Sequence, residues 1–253
     1  MSSEYSTFRN HTFCILKLEK NYFPKPEDAD LEFEIKDSGT GFFISKSGHF
    51  LTAGHVVSDQ ENFNYYAVID RNFYLLTVLQ VQYKELKHQS EPMYYDFALG
   101  QIDFVSENFF EIHLQDLTKD YKNLLVLGFC KTSQKNPIKE PIIDIEDLFF
   151  DEIHILDERE YDGFPCTSFI NKFIQEVKLE NGEKIGGCFN NGIGINYNYE
   201  LCCAPKGMSG GPLVNLNENQ LVGIFTNGNN VIGKCLLITQ EQVSLINKEI
   251  SKP

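Results

Sequence analysis

The histidines of this chain all precede its most conspicuous serine, and that order restricts the fold more than any bulk property. Gly207-Met208-Ser209-Gly210-Gly211-Pro212 sets a serine among glycines, while the six histidines are His11, His49, His55, His88, His113 and His154. A serine hydroxyl is a weak nucleophile near neutral pH. It needs a base to take its proton, and the base needs an orienting acid. A Gly-x-Ser-x-Gly elbow on a strand-to-helix turn takes its base from a histidine after the serine, and none follows Ser209. The order left is histidine, acid, serine. Two further strings supply it: Leu51-Thr52-Ala53-Gly54-His55-Val56-Val57 and Tyr95-Asp96-Phe97-Ala98-Leu99. The spacings are 41 residues (55 to 96) and 113 residues (96 to 209). An acid before the histidine, such as Asp37, would fit a fold of alternating helices and strands, a pattern the chain lacks. His49 has no such context and reads as a surface turn residue. Asp103, Asp116 and Asp120 are poorer partners than Asp96.

Short apolar runs punctuated by turn residues dominate the chain. Strands are predicted at Gly41 to Ile44, Phe50 to Ala53, Tyr65 to Asp70, Phe73 to Tyr83 and Asp96 to Ile102, with a turn at Lys46-Ser47-Gly48. A polar connector near Gln115 to Asn123 precedes a second β-rich half beginning at Leu124 to Phe129. Asn181-Gly182, between Val177 to Glu180 and Glu183 to Ile185, marks a hairpin because both turn residues tolerate positive φ. Further strands are expected at Tyr197 to Cys203, Pro212 to Val214, Leu221 to Thr226 and Cys235 to Ile238. The tail differs. Thr239 and Gln242 fit a capping box, and Val243, Ile246 and Ile250 share one helical face, which predicts a helix over 240–252.

Composition narrows the function classes. Hydrophobic residues make up 42% of the 253, enough for a packed core. The net charge of -14 repels phosphate backbones and argues against nucleic-acid binding. No apolar stretch approaches a membrane span, and the N-terminus shows no basic start followed by an apolar run. Seven scattered cysteines without such a leader read as reduced thiols in a cytoplasm. Cys202 and Cys203 are wrongly spaced for a zinc pair, and no metal or cofactor is expected. The segment from Asp144 to Asp162 interleaves Asp and Glu with Leu148, Phe149, Phe150, Ile153, Ile155 and Leu156. It reads as a solvated amphipathic element, with docking of a regulatory partner as the sharper alternative.

The three ordered strings resemble those of trypsin-like peptidases, and above all the compact HtrA-like branch without a PDZ domain. In that family the histidine follows Thr-Ala-x, the aspartate opens an Asp-x-Ala-Leu strand, and the serine lies in Gly-x-Ser-Gly-Gly-Pro. The resemblance covers roughly 38–239. It implies an all-β fold of two six-stranded antiparallel barrels with a cleft between them and a closing C-terminal helix. The implied halves are 1–117, carrying His55 and Asp96, and 118–253, carrying Ser209 and an acidic insertion near 139–165. It further implies His55 as general base, Asp96 as its orienting acid and Ser209 as nucleophile. The N–H groups of Gly207 and Ser209 become the oxyanion hole, and Thr226-Asn227-Gly228 the strand that pairs with a peptide or protein substrate.

Departures from the family pattern matter too. Val56 follows His55, where secreted members often carry a disulfide cysteine. Met208 precedes Ser209, where members activated by N-terminal cleavage carry an aspartate. Cys203 stands six residues before the serine, where trypsins carry aspartate. With Cys235 on the back wall it implies a small apolar pocket; a one-residue shift would bring Lys234 inward and favour an acidic residue. The expectation is a cytoplasmic, bacterial serine endopeptidase controlled by loop ordering or a partner, as in a stress or defence effector. The alternative is a latent or inactive interaction module on the same fold, since fold alone never guarantees activity.

Overall fold

The structure, a computed structural model, describes residues 8, 10–24, 35–70, 72–83, 96–113, 124–129, 160–161, 164–165, 173–174, 177–178, 184–185, 192–196, 207–215, 218–228, 232–238 and 240–252. Antiparallel β-structure dominates it. Seven strands form the first sheet: β1 Thr12–Glu19, β2 Asp37–Phe43, β3 His49–Thr52, β4 Phe63–Ile69, β5 Asn72–Leu75, β6 Thr77–Tyr83 and β7 Asp96–Gln101. Their order is β5-β4-β1-β2-β3-β7-β6. The two strands at the ends of that order, β5 and β6, are separated in sequence only by Leu76. The sheet therefore curls until its edges are brought round to one continuous run of chain.

That run explains why seven strands appear where six were expected. Phe73 to Tyr83 reads as a single strand, but its first half pairs with β4 and its second with β7. Buried Leu76 forms the corner, and its N–H still donates to Tyr65 O at 2.9 Å. Sequence pattern also misses β1. Phe13, Cys14, Ile15 and Leu16 are all buried, because Phe13 and Ile15 pack into one apolar cluster and Cys14 and Leu16 into another. A strand covered on both faces shows no polar alternation.

The second sheet has the order β11-β14-β17-β16-β15-β8. Its strands are β8 Leu124–Val126, β11 Phe173–Ile174, β14 Gly192–Asn196, β15 Pro212–Asn215, β16 Gln220–Gly228 and β17 Ile232–Leu237. Two small pairs complete the strand list: β9 Glu160–Tyr161 with β10 Phe164–Pro165, and β12 Val177–Lys178 with β13 Lys184–Ile185. The latter pair is the hairpin expected around Asn181-Gly182. Of the acidic segment only β9 is described. The strand expected at Tyr197 to Cys203 lies outside the described residues.

One apolar cluster joins the sheets. Phe42, Leu51, Phe97 and Leu99 from the first meet Val214, Leu221, Ile224 and Leu236 from the second, with Leu127 just after β8. Helix α1, Gln240–Ile250, adds Ile246, with Val243 and Ile250 packed alongside. Each of these large side chains stabilises the fold by about 1.5–3 kcal/mol relative to exposure. Gln242 of this helix is buried and donates to Gln82 Oε1 of β6 at 3.4 Å; its expected capping partner, Thr239, lies outside the described residues.

His49 corrects a second expectation. It is no surface turn residue but the buried first residue of β3, with Ser45 Oγ and Ser47 Oγ 2.9 and 3.0 Å from its Nδ1. Burial pushes its pKa down, against the opposing pull of the Glu249 charge.

Candidate active site

After β3 the chain tightens into a single 3-10 turn, Gly54–Val57. The first amides of such a turn have no partner within it. Asp96, fully buried at the start of β7, supplies one. Its Oδ1 accepts the His55 backbone N–H at 2.8 Å, and its Oδ2 lies 2.8 Å from His55 Nδ1. A carboxylate on Nδ1 keeps the ring proton there and leaves a lone pair on Nε2. The two bonds fix backbone and ring of one histidine to one acid.

The half-buried imidazole has its pKa raised above 6.5. Burial alone would lower it. The hydrogen bond and charge of Asp96 outweigh that, and Asp37 adds to them. Only a neutral ring can take a proton, so any reaction that uses His55 as base will fall as pH drops through that raised value. Replacing Asp37 with asparagine removes one raising charge. Its acid limb is expected at lower pH than that of the wild type, read from kcat/KM between about pH 5 and 8.

Gly39 of β2 brings the histidine turn and the serine loop together. A Cβ there would sit 2.5 Å from Val56 Cγ1 and 3.1 Å from Ser209 O. The serine loop turns on two residues in the left-handed region, Gly207 (φ 100) and Gly210 (φ 93). A side chain at 210 would lie 2.1 Å from both Thr40 O and Thr52 Oγ1. Three successive carbonyls of the loop are engaged: Gly207 O with Thr40 Oγ1 at 2.9 Å, Met208 O with Gly211 N at 3.0 Å, Ser209 O with Thr40 N at 2.8 Å. In a trans peptide the N–H points opposite to the preceding C=O. Tying Met208 C=O to Gly211 therefore aims the Ser209 N–H the other way.

The loop is fastened to β16 just before the expected substrate strand. Gly210 N donates to Phe225 O at 2.6 Å and Phe225 N to Gly211 O at 2.8 Å. Beyond that point Thr226, Asn227 and Gly228 complete β16, with Asn227 and Gly228 paired to Lys234 and Gly233 of β17. β15 accompanies β16 only as far as Ile224. Cys235 lies in β17 opposite Phe225; Cys203 lies outside the described residues. Sequence reasoning passed over two contributors here, Gly39 and Thr40. Their only signal is a threonine between two glycines at the head of a strand.

Tyr83, at the end of β6, stands beside the histidine with ring centroids 6.0 Å apart. Among the described residues, no group of three His, Cys, Asp or Glu side chains could hold a metal ion, and no helix is long and apolar enough to cross a membrane.

The family model for the trypsin-like peptidase domain matches residues 39–224. Among solved structures, the chain is similar to the Rv3671c protease from M. tuberculosis. The active form shares 16% identity and a TM-score of 0.55 over 99% of this chain and 85% of that one. The inactive form shares 15% and 0.53 over 99% and 93%. An HtrA-type protease, AlgW with a tripeptide, shares 12% and 0.56 over 98% of this chain and 62% of its own. No curated protein matches the chain.

Proposed function

The chain belongs to the trypsin-like peptidase domain family, and from that premise we propose that it is a serine endopeptidase with His55, Asp96 and Ser209 as its catalytic triad. The observation that carries this reading is the two-point hold of Asp96 on His55. In the proposed reaction Ser209 Oγ attacks the scissile carbonyl while His55 Nε2 takes its proton. The N–H groups of Gly207 and Ser209 stabilise the oxyanion. His55 then protonates the leaving amine, and an acyl-enzyme remains on Ser209. Water enters, losing its proton to His55, and attacks the acyl carbon; His55 returns the proton to Ser209 Oγ as that oxygen leaves, which frees the acid product. The Asp96 carboxylate, 2.8 Å from Nδ1, stabilises the imidazolium that forms twice in the cycle.

The substrate would lie as an added strand along Thr226-Asn227-Gly228, where β15 no longer accompanies β16. Cys203 and Cys235 would line a pocket for Ala-, Val- or Leu-sized side chains. The two proposed halves, 1–117 and 118–253, each contribute to the cleft. The test is incubation with a mixed peptide library, with product identification by mass. Internal cleavage that Ser209→Ala abolishes supports the reading. No cleavage by folded protein would move it to a latent or inactive interaction module.

Met208 beside Ser209 removes the aspartate that a newly cut N-terminus would pair with. Control by a protein partner, docked on the acidic segment 144–162 in the cytoplasm, is the regulation we propose instead. Deleting 144–162 is expected to leave basal peptide cleavage within about threefold while abolishing stimulation by cell extract, because the deletion removes none of His55, Asp96 and Ser209. Unaltered stimulation would refute the docking role.

A further inference from the structure

Thr40 is buried in β2 with all of its polar groups engaged, and they reach three segments of the chain. Its hydroxyl donates to Gly207 O and accepts from Phe129 N, both at 2.9 Å. Its N–H donates to Ser209 O at 2.8 Å, and its C=O accepts from Thr52 Oγ1 at 2.7 Å. Resting on the peptidase reading, we propose that Thr40 is a positioning residue, whose hydroxyl holds the serine loop in its reactive conformation.

Gly207 is the reason a clamp is needed. With no Cβ and a φ of 100, it turns at little cost. Rotation there would swing the following peptides, and with them the Ser209 N–H. It would also carry a carbonyl oxygen toward the place where negative charge develops. The Thr40 hydroxyl holds the Gly207 C=O and so fixes that rotation. One hydroxyl has one proton to give, and it goes to Gly207; the lone pair facing Phe129 N fixes the proton's direction. Gly128 allows this approach, since a Cβ there would lie 3.0 Å from Thr40 Oγ1 and 3.1 Å from Met208 Cα.

Packing alone needs no hydroxyl, because valine has the shape of threonine. In Thr40→Val the Gly207 C=O and Phe129 N–H lose their partners, and the loop gains freedom. Donors that act on the oxyanion matter in the transition state more than in the bound ground state, so kcat falls and KM does not.

The test compares whole-chain wild type with Thr40→Val, Thr40→Ser and Thr40→Cys. Three readouts are used: the rate of Ser209 labelling by a fluorophosphonate, the steady-state kcat and KM for a cleaved peptide, and amide exchange in the peptide spanning 207–211. In the labelling, Ser209 Oγ displaces fluoride at phosphorus and its proton passes to His55. Thr40→Val is expected to label about ten- to a hundredfold more slowly, with faster loop exchange and a peptide KM unchanged within about twofold. Thr40→Ser is expected at the wild-type rate. If Thr40→Val does not fold, the near-isosteric Ser and Cys variants decide, since a thiol is a weak donor. Wild-type labelling by Thr40→Val or Thr40→Cys, loss confined to KM, or a slow Thr40→Ser overturns the proposal. If the wild type itself is not labelled, the peptidase reading falls. Loop exchange then decides the clamp: faster exchange in Thr40→Val supports it, and unchanged exchange overturns it.

Discussion

His55→Ala is expected to lower kcat/KM for a cleaved peptide by about a millionfold, with the fold intact. The size follows from the hydroxyl's need for a base: without the imidazole, Ser209 attacks as a neutral alcohol. The remaining rate over water comes from the oxyanion donors and from substrate binding. The intact fold follows from geometry. Asp96 Oδ1 bonds to the His55 backbone N–H, not to the ring, and alanine keeps that N–H. The buried carboxylate therefore retains one of its two donors at this turn. Circular dichroism and a thermal midpoint near that of the wild type, beside lost turnover, is the expected pair of results. A loss below about a hundredfold would mean that another group takes the proton.

Asp96→Asn is expected to cost about ten-thousandfold in kcat while leaving KM nearly unchanged. An amide oxygen in place of Oδ1 still accepts the His55 N–H. The amide nitrogen then faces Nδ1, where Oδ2 stood 2.8 Å away. A donor facing Nδ1 forces the ring proton onto Nε2, and that nitrogen can no longer accept from Ser209. The ring is held in place as the wrong tautomer. The measurement is steady-state kinetics of Asp96→Asn beside His55→Ala and the double variant. Because both act on one proton transfer, the double variant is expected to be no slower than His55→Ala alone. Additive losses would separate the two residues into independent roles.

The candidate site is read from short strings because the chemistry proposed for it depends on them. His55, Asp96 and Ser209 were each marked by their neighbours, and chain order discriminated between folds that share the same residues. Thr40 was not legible. Its importance comes from contacts to residues 167 and 89 positions away, and a hydroxyl carries no motif of its own. The β class was equally clear from turn-punctuated runs. The exceptions have physical causes: β1 is covered on both faces and loses its alternation, and the run from 72 to 83 breaks at Leu76 because the sheet curls there. His49 was misplaced because β3 begins one residue earlier than its apolar stretch, and two serine hydroxyls satisfy the buried ring. Substrate preference was the least legible part, since a pocket depends on which of Cys235 and Lys234 faces inward, and a shift of one residue reverses that choice.

The central claim is that His55, Asp96 and Ser209 act together on a single nucleophile. Intact-protein mass after treatment with a fluorophosphonate tests it most directly. One adduct per chain, absent in Ser209→Ala and slowed in both His55→Ala and Asp96→Asn, is the predicted result. An adduct that survives Ser209→Ala, or none on folded wild-type protein, would contradict it.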